Sequence, residues 1–337
     1  QGNISILPVA TIYGANGAGK TNLLRLMESF CYYVVNSVDI KSNSKMVSRY
    51  PFMPFNYCKD PKSATVEYEV TFLIGEREYR YTLALGISEG QEETLEFKKD
   101  AGKNGAFLNV FTRQGKELKI GSSEAVKKEE PNISFCNSML TDKDLLLTAL
   151  GRRAQADTPG IGIPFYAIYK WFEKITYVEN TPDQRRLLSI QEGSPEEAFY
   201  SSRVATKYAR LADPQIHGLS LAKLAQFGQE TLALFSEHEM IDSHETKLVP
   251  SVAESKGTQN LLKAAPVIQC ALDEGGLLLA DELDGSMHPL LLLEIIKMFM
   301  DPEQNPHHAQ LICTLHNVVI MDRRNLRRDS IWFVDKD

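Results

Sequence analysis

The chain has 337 residues, of which 43% are apolar and 24% charged, as is ordinary for a globular protein. No apolar run approaches the roughly 20 residues that a membrane-spanning helix needs, and the first residues lead into an apolar strand without a secretory signal. The five cysteines show no paired short spacing, which is typical of reduced thiols. The net charge of −7 argues against a broad phosphate-binding face. We therefore expect a cytoplasmic protein without membrane partners.

The predicted elements begin with a buried strand at 9–13 and an apolar-rich helix from 22 to about 36. Apolar and polar side chains then alternate over 66–74 and, after a turn at Gly75, over 79–85. Two further runs near 106–112 and 117–120 complete a predicted antiparallel meander.

From about 140 to 235 the apolar spacing becomes helical. Helices and strands alternate again near the end of the chain, which predicts a parallel sheet with crossover helices. The predicted helices there span 259–272 and 289–299, and the predicted strands span 277–280, 310–314 and 331–334.

The clearest motif lies between the first strand and the first helix. It is Gly14-Ala15-Asn16-Gly17-Ala18-Gly19-Lys20-Thr21, a complete phosphate loop, followed by Asn22. Glycines allow backbone N–H groups to surround phosphates, and the helix N-terminus adds positive potential. Lys20 would reach the β- and γ-phosphates of ATP, and the Thr21 hydroxyl would bind Mg²⁺. The alternative is a glycine-rich turn that binds nothing.

A second motif is the apolar run Leu277-Leu278-Leu279-Ala280, which ends in the carboxylates Asp281 and Glu282. Asp281 would support Mg²⁺, and Glu282 would orient and deprotonate an attacking water. Because this motif and Lys20 lie near opposite ends of the chain, the nucleotide fold must be interrupted by inserted segments. The predicted segments are 1–62 and 251–337 for the ATPase head, 63–125 for the β subdomain and 126–250 for a mainly helical lobe.

Two further elements fit an ATPase completed by a second head. Ser255-Lys256-Gly257-Thr258 stands at a helix start and resembles the ABC signature. The motif alone would favour an ordinary helix cap at Ser255, but its position before Asp281 favours the signature. His316 follows the strand at 310–314, where ABC-type heads carry a γ-phosphate histidine; the alternative is a structural histidine. The loop 284–289 resembles the segment that touches the partner head, although His288 alone would more often be a packing residue.

Three features weaken or complicate this interpretation. ABC-type heads carry a glutamine before the inserted lobe, but none occurs between Lys20 and Gln91, and Asn56 is the only substitute we can suggest. A cluster of histidines and acids at 237–245 could be drawn as a metal site, but its polarity favours a solvated segment. The arginines at 323–328 could contact nucleic acid or an acidic partner, but a solvated turn is the simpler interpretation.

Together these motifs resemble the AAA/ABC-type ATPases of bacterial phage defence and abortive infection, such as RloA-like proteins, the PARIS ATPase AriA and the Septu ATPase PtuA. The resemblance rests on IYGANGAGKTNLL, ESKGTQNLL, LLLADELDGSMHPLL, QLICTLHN and RRDSIWFVDKD. It implies an α/β P-loop head of the ABC, RecF and SMC type, split by the meander and the helical lobe. It also implies a homo-oligomer, at least a head-to-head dimer, in which Ser255, Gly257 and Thr258 act on the ATP of the neighbouring head. His316 would sense the γ-phosphate of ATP.

The leading functional hypothesis is a regulatory ATPase of an anti-phage system that controls a partner effector such as a nuclease, with a nucleic acid or a phage protein as its trigger. The alternatives are a RecF- or SMC-like ATPase that binds duplex DNA, and an inactive scaffold in which ATP only joins the heads. The acidic charge and the absence of coiled-coil heptads favour the first over the second. The intact Glu282 disfavours the third.

Overall fold

The computed structural model describes residues 5–42, 51, 65–86, 90–99, 101–102, 105–154, 162–179, 187–226, 229–243, 245–285 and 287–335. The chain divides into two compact units. The meander unit comprises Gln1–Ile6 and Arg25–Glu173, and the parallel-sheet unit comprises Leu7–Leu24 and Lys174–Asp337.

The helices and strands, numbered in chain order, are β1 (Val9–Gly14), α1 (Lys20–Asn36), β2 (Thr65–Ile74), β3 (Arg77–Gly86), β4 (Gly90–Lys98), β5 (Leu108–Gln114), β6 (Glu117–Ile120), α2 (Glu124–Lys127), α3 (Glu130–Met139), α4 (Leu146–Arg153), α5 (Phe165–Glu173), β7 (Ile175–Glu179), α6 (Pro195–Tyr200), α7 (Arg203–Ala212), β8 (Ile216–Gln226), β9 (Gln229–Glu239), β10 (Thr246–Pro250), α8 (Lys256–Glu274), β11 (Leu277–Asp281), α9 (Pro289–Met300), β12 (Gln310–Thr314) and β13 (Ile331–Val334).

A five-stranded parallel sheet forms the centre of the parallel-sheet unit, in the order β13-β1-β12-β11-β7. Leu311 of β12 pairs with Val9 of β1 on one side and with Leu278 of β11 on the other. The two distant ends of the chain therefore share one sheet, as the motif spacing predicts. Because parallel strands end at the same edge, the residues that follow β1, β11 and β12 come together.

Helices α8 and α9 supply much of the apolar core of this unit, together with the inward side chains of the sheet. Ser255 caps the start of α8, and Gly275 ends it in the left-handed conformation. Pro266 lies inside the helix and cannot donate to the carbonyl of Leu262. The Tyr200 hydroxyl donates to that carbonyl instead, at 2.8 Å, so the interruption leaves no buried acceptor unpaired.

The predicted helical pattern is wrong in the second half of 126–250. There β8, β9 and β10 form an antiparallel sheet in the order β10-β9-β8. The register of β8 shifts between Ile216 and Gly218, which breaks the alternation. Moreover, Leu221 and Leu224 lie three residues apart in the sequence, a spacing that is also typical of one face of a helix. In addition, β7 belongs to the parallel sheet rather than to an inserted lobe.

The meander unit contains the predicted antiparallel sheet, in the order β2-β3-β4-β5-β6. Its sequence alternation places Tyr79, Tyr81, Leu83 and Leu85 on the buried face. The strand β4 was not among the predicted runs. It carries the buried Glu93, whose carboxylate accepts from the N–H groups of Leu146 and Leu147 at 2.7 and 2.9 Å and thereby caps α4. Burial raises the pKa of Glu93.

None of the helices in the described ranges is both long and apolar enough to cross a bilayer.

The packing of α9 predicts a contrast between two leucines. Leu292 is fully buried, whereas Leu290 on the same helix is 66% exposed. Leu292→Ala should lower the free energy of unfolding by about 2–5 kcal/mol, because it removes buried methyl groups and leaves a cavity. Leu290→Ala should change it by less than about 0.5 kcal/mol. Urea unfolding of both variants measures the difference, and equal effects would contradict the assigned core.

Candidate nucleotide-binding site

The loop after β1 is shaped by two glycines in the left-handed region. The φ angles are 80° at Gly17 and 102° at Gly19, values that other residues rarely adopt. The Ala18 N–H closes a turn on the Ala15 carbonyl at 3.1 Å, and α1 begins at Lys20. The first N–H groups of a helix have no partner within it and favour anions. Loop and helix start together therefore make an element suited to phosphate.

Lys20 is buried at the centre of this loop. Its Nζ donates to the carbonyl oxygens of Gly14 at 2.7 Å and Ala15 at 3.2 Å. An ammonium group has three N–H donors, so one is available for a phosphate oxygen. The loop carbonyls thus fix the cation where an anion would bind.

A cleft of about 570 Å³ opens beside the loop, within the parallel-sheet unit. It joins the loop to residues that follow β11 and β12, as the parallel sheet requires. Its lining residues are Asn16, Gly17, Gly19, Lys20, Thr21, Asn22, Glu282 and His316. Of the predicted loop residues, Gly14, Ala15 and Ala18 do not line the cleft.

The Thr314 hydroxyl joins the ends of β11 and β12. Its Oγ1 donates to Asp281 Oδ1 at 2.6 Å and accepts from the Glu282 N–H at 2.7 Å. Asp281 and Thr314 are both buried. One side chain of β12 thus orients both carboxylate residues of the second motif.

Glu282 and His316 face each other at the mouth of the cleft. His316 Nε2 lies 3.6 Å from Glu282 Oε1, and both side chains are about half exposed, at 44% and 55%. Glu282 has a φ of 49°, unusual for a residue other than glycine. Such strained positions concentrate where chemistry is done. A carboxylate and an imidazole this close can together orient a water and accept its proton.

Asp284 fixes the backbone that carries His316. Its Oδ2 accepts from the N–H groups of His316 and Asn317, both at 2.7 Å. Burial raises the pKa of the neighbouring Cys313 thiol, and the Asp284 carboxylate raises it further. Cys313 is therefore neutral at physiological pH.

The surroundings of Asp281 fit a magnesium ion. It is a buried carboxylate bonded to the hydroxyl of Thr314. Among the described residues, no lysine, arginine or histidine forms an ion pair with it. Buried carboxylates are normally paired with cations or bound to metal ions, and oxygen is the ligand that Mg²⁺ prefers. Thr21 lines the cleft, whereas Asp281 lies one residue before the lining residue Glu282 and does not line it.

With this geometry, the chain matches the family described as "AAA domain, putative AbiEii toxin, Type IV TA system" over residues 9–117 and 172–322. The matched segments make up well over half of the sequence. The chain belongs to this AAA family. A comparison with curated protein sequences gives no significant match.

Solved structures similar to this AAA domain include Smc heads and the recombination mediator protein RecF. An SmcHead bound to the C-terminal winged-helix domain of ScpA is 14% identical, with 99% of this chain and 89% of that chain covered and a TM-score of 0.49. The Smc head of Pyrococcus furiosus bound to the C-terminal domain of ScpA is 12% identical (94% and 86% covered, TM-score 0.32). RecF-ATPrS is 10% identical (92% and 87% covered, TM-score 0.31). Similarity this loose supports no functional conclusion.

The predicted α/β fold is confirmed, with a parallel sheet that an antiparallel meander interrupts in the sequence. The assignment to the ABC, RecF and SMC type of head stays a prediction. The chain is a nucleotide-binding AAA-type ATPase domain.

The signature-like segment of the AAA domain lies outside the cleft. Ser255 Oγ accepts from the Thr258 N–H at 3.1 Å, which is the bond of an ordinary helix cap. Ser255 and Lys256 are nonetheless exposed at the start of the long helix α8. Thr258 is buried, and its hydroxyl lies 2.8 Å from Ser255 Oγ, so it does not face a second molecule. The role of Ser255 and Gly257 toward a second molecule stays a prediction.

The remaining candidate residues are Asn56, His288 and the cluster of histidines and acids at 237–245. Asn56 lies outside the described residues. His288 caps α9 through its Nδ1, which fits the packing interpretation. Within the described ranges no group of His, Cys, Asp and Glu is arranged to hold a metal. The prediction of a solvated segment at 237–245 is wrong for His238, because its imidazole is three-quarters buried and bonded to Glu254.

Sequence reasoning missed Thr314 and the role of Asp284. Each has a weak signal. Thr314 is a hydroxyl residue at the end of an otherwise apolar strand, and Asp284 follows Glu282 at a spacing that a tight turn could use. Neither pattern alone indicates a partner, because the bonds depend on the parallel register of β11 and β12.

Thr314 provides a test of how the carboxylates are positioned. Thr314→Val should lower ATP turnover by about tenfold to a hundredfold, because a shift of about 1 Å at the reacting groups has effects of this size. Thr314→Ser keeps the hydroxyl and should retain most activity. Phosphate release at saturating ATP compares the two variants. Wild-type turnover in Thr314→Val would contradict the bridging role.

Proposed function

We propose that this protein is the regulatory ATPase of a bacterial anti-phage, abortive-infection system. Two heads would bind ATP between them and control a partner effector such as a nuclease or toxin. The observation that carries the proposal is the meeting of Lys20, Glu282 and His316 in one cleft of an AAA domain. The family description, which refers to a toxin of a type IV toxin–antitoxin system, supports the defence role.

The residues that bind phosphate and those that bind magnesium have different tasks in the proposed reaction. Lys20 and the backbone N–H groups around Gly17 and Gly19 bind the β- and γ-phosphates of ATP. Thr21 and Asp281 hold Mg²⁺, which supplies positive charge to the phosphate oxygens when it is bound.

The hydrolytic step falls to the residues that follow β11 and β12. Glu282 orients the attacking water and accepts its proton, and His316 donates a hydrogen bond to the γ-phosphate. Thr314 and Asp284 hold these two residues in position through the hydrogen bonds described above. The neighbouring positions of Glu282 and His316 favour hydrolysis over the scaffold alternative.

The site is completed by a second head. The exposed Ser255 and the N-terminus of α8, with Gly257, would contact the γ-phosphate bound by the partner. Exposed apolar side chains accompany the cleft, including Val318 and Val319 just after His316 and Leu290 at the start of α9. Apolar side chains next to a catalytic cleft are suited to burial between two heads.

The RecF/SMC-like alternative requires direct contact with duplex DNA. The arginine cluster at 323–328 is its best candidate surface. Two of its members are neutralised locally, because Arg324 pairs with Asp322 and Arg327 with Asp329 at 2.6 and 2.7 Å. With the chain's net charge of −7, this cluster gives little support to DNA binding.

Glu282→Gln tests the shared site. The amide cannot accept the water's proton, so turnover should fall by about a hundredfold to ten-thousandfold while ATP binding persists. Trapped ATP should then stabilise a dimer, measured by size-exclusion chromatography with light scattering. Lys20→Ala should lose ATP affinity and stay monomeric, whereas Glu303→Gln, at an exposed position, should behave like the wild type. A Glu282→Gln protein that binds ATP as a monomer would refute the two-head site.

Effector control predicts a partner whose activity depends on the nucleotide. Tagged protein expressed with the products of its neighbouring genes should retain one of them. That partner's nuclease or toxin activity should differ by about 5- to 150-fold between complexes of Glu282→Gln and Lys20→Ala. Salt-sensitive binding of duplex DNA by the isolated protein, with no retained partner, would instead support the RecF/SMC-like alternative.

A further inference from the structure

The segment that precedes α8 is held by side chains from β9. Residues Ser251–Ala253 form a short 3-10 helix that connects β10 to Glu254 and Ser255. Two β9 residues, Ser236 and His238, are two positions apart and therefore share one face of the strand. Ser236 Oγ lies 3.2 Å from Ser251 Oγ, and both serines are fully buried. The contact between these two serines thus fixes the start of the segment.

The second contact fixes its end. His238 Nε2 lies 2.8 Å from Glu254 Oε1, with side-chain exposures of 23% and 9%. A carboxylate can only accept, so the imidazole donates through Nε2–H. A hydrogen bond to a carboxylate this shielded from water is stronger than an exposed ion pair. It joins the middle sheet strand to the residue immediately before Ser255.

Helix α8 holds the same segment from the other side. The Gln259 Nε2 donates to the carbonyls of Val252 at 2.9 Å and Glu254 at 2.7 Å. These bonds fix the backbone path of the segment, while the Glu254 side chain is fixed by His238. Ser255 follows directly and is exposed at the helix start. The orientation of Ser255 therefore depends on contacts that side chains of β9 and α8 make with the preceding segment.

We propose that His238 is a positioning residue for the Ser255–Gly257 segment and thereby for the ATP site of the opposite head. The proposal rests on the proposed function, because it assumes that this segment contacts the partner's γ-phosphate. His238 contacts no nucleotide itself. Its hydrogen bond to Glu254 keeps the N-terminus of α8 in the orientation that the transition state needs, so its loss should affect turnover more than ATP affinity.

Variants of the two histidines in this sheet separate the role from a general effect on the sheet. His238→Leu removes the hydrogen bond, whereas His238→Gln places an amide N–H the same number of bonds from Cβ as Nε2. His217→Leu is the matched control, because its half-exposed imidazole lies 3.9 Å from Glu239, a residue outside the segment at 251–255.

We expect His238→Leu to lower turnover by about tenfold or more with KM for ATP changed by less than about twofold. His238→Gln and His217→Leu should stay within about threefold of the wild type. Turnover of His238→Leu at the wild-type level, or a His238→Gln protein as impaired as His238→Leu, would overturn the proposal.

Mixing experiments test action on the opposite head. Lys20→Ala heads keep the intact segment but lack nucleotide, whereas His238→Leu heads bind nucleotide but misplace their segment. A mixed dimer contains one complete site, so the mixture should hydrolyse ATP faster than either protein alone. No gain on mixing would contradict action across the dimer.

Hydrogen exchange distinguishes failure of this inference from failure of the proposed function. Amides of residues 251–258 should exchange about tenfold faster in His238→Leu than in the wild type or His238→Gln, with the rest of the sheet unchanged. If His238→Leu shows this faster exchange but the wild-type protein has no ATPase activity, the proposed function is wrong and the positioning of the segment by His238 is supported. Unchanged exchange in an active enzyme would overturn the positioning alone.

Discussion

Parallel pairing of β12 with both β1 and β11 is the constraint on which the site depends. It brings three strand ends to one edge of a sheet whose members come from opposite ends of the chain. The phosphate loop follows the first strand, the paired carboxylates end the second and His316 follows the third. A slip of one residue between β11 and β12 would turn Thr314 away from Asp281. The positions of the carboxylates therefore depend on the register of these two strands.

The groups at this edge are sorted by burial. Lys20 and Asp281 are buried and held by carbonyl or hydroxyl partners, while Glu282 and His316 are half exposed at the mouth. Burial strengthens electrostatic interactions and makes it costly for a charged group to lose its partners. Both effects suit groups that bind phosphate and metal in the proposed function. Exposure suits groups that must meet water. The hydrogen bonds of Thr314 and Asp284 connect the two sets without adding a competing cation.

Much of this arrangement could be predicted from local patterns. The phosphate loop specifies both its backbone and its ligand, and the alternation from Val66 to Leu85 specifies a meander, because each signal is complete within a short window. The β8–β10 sheet could not be predicted, since a register shift at Gly218 and the spacing of Leu221 and Leu224 imitate a helix. Ser255 stayed ambiguous for a different reason: a helix cap and a signature serine use the same residue, and only the neighbouring molecule distinguishes them. Thr314, Asp284 and His238 act through partners distant in sequence, so their roles depend on the assembled sheets.

The backbone at Glu282 has a consequence for how this position tolerates change. At a φ of 49°, glycine or asparagine would relieve the local conformation, and a side chain as long as glutamate is a costly choice. A search for greater stability would therefore discard the very residue that we assign to proton transfer. Under the proposed function, glutamate at this position favours reactivity at the expense of an easily adopted backbone conformation.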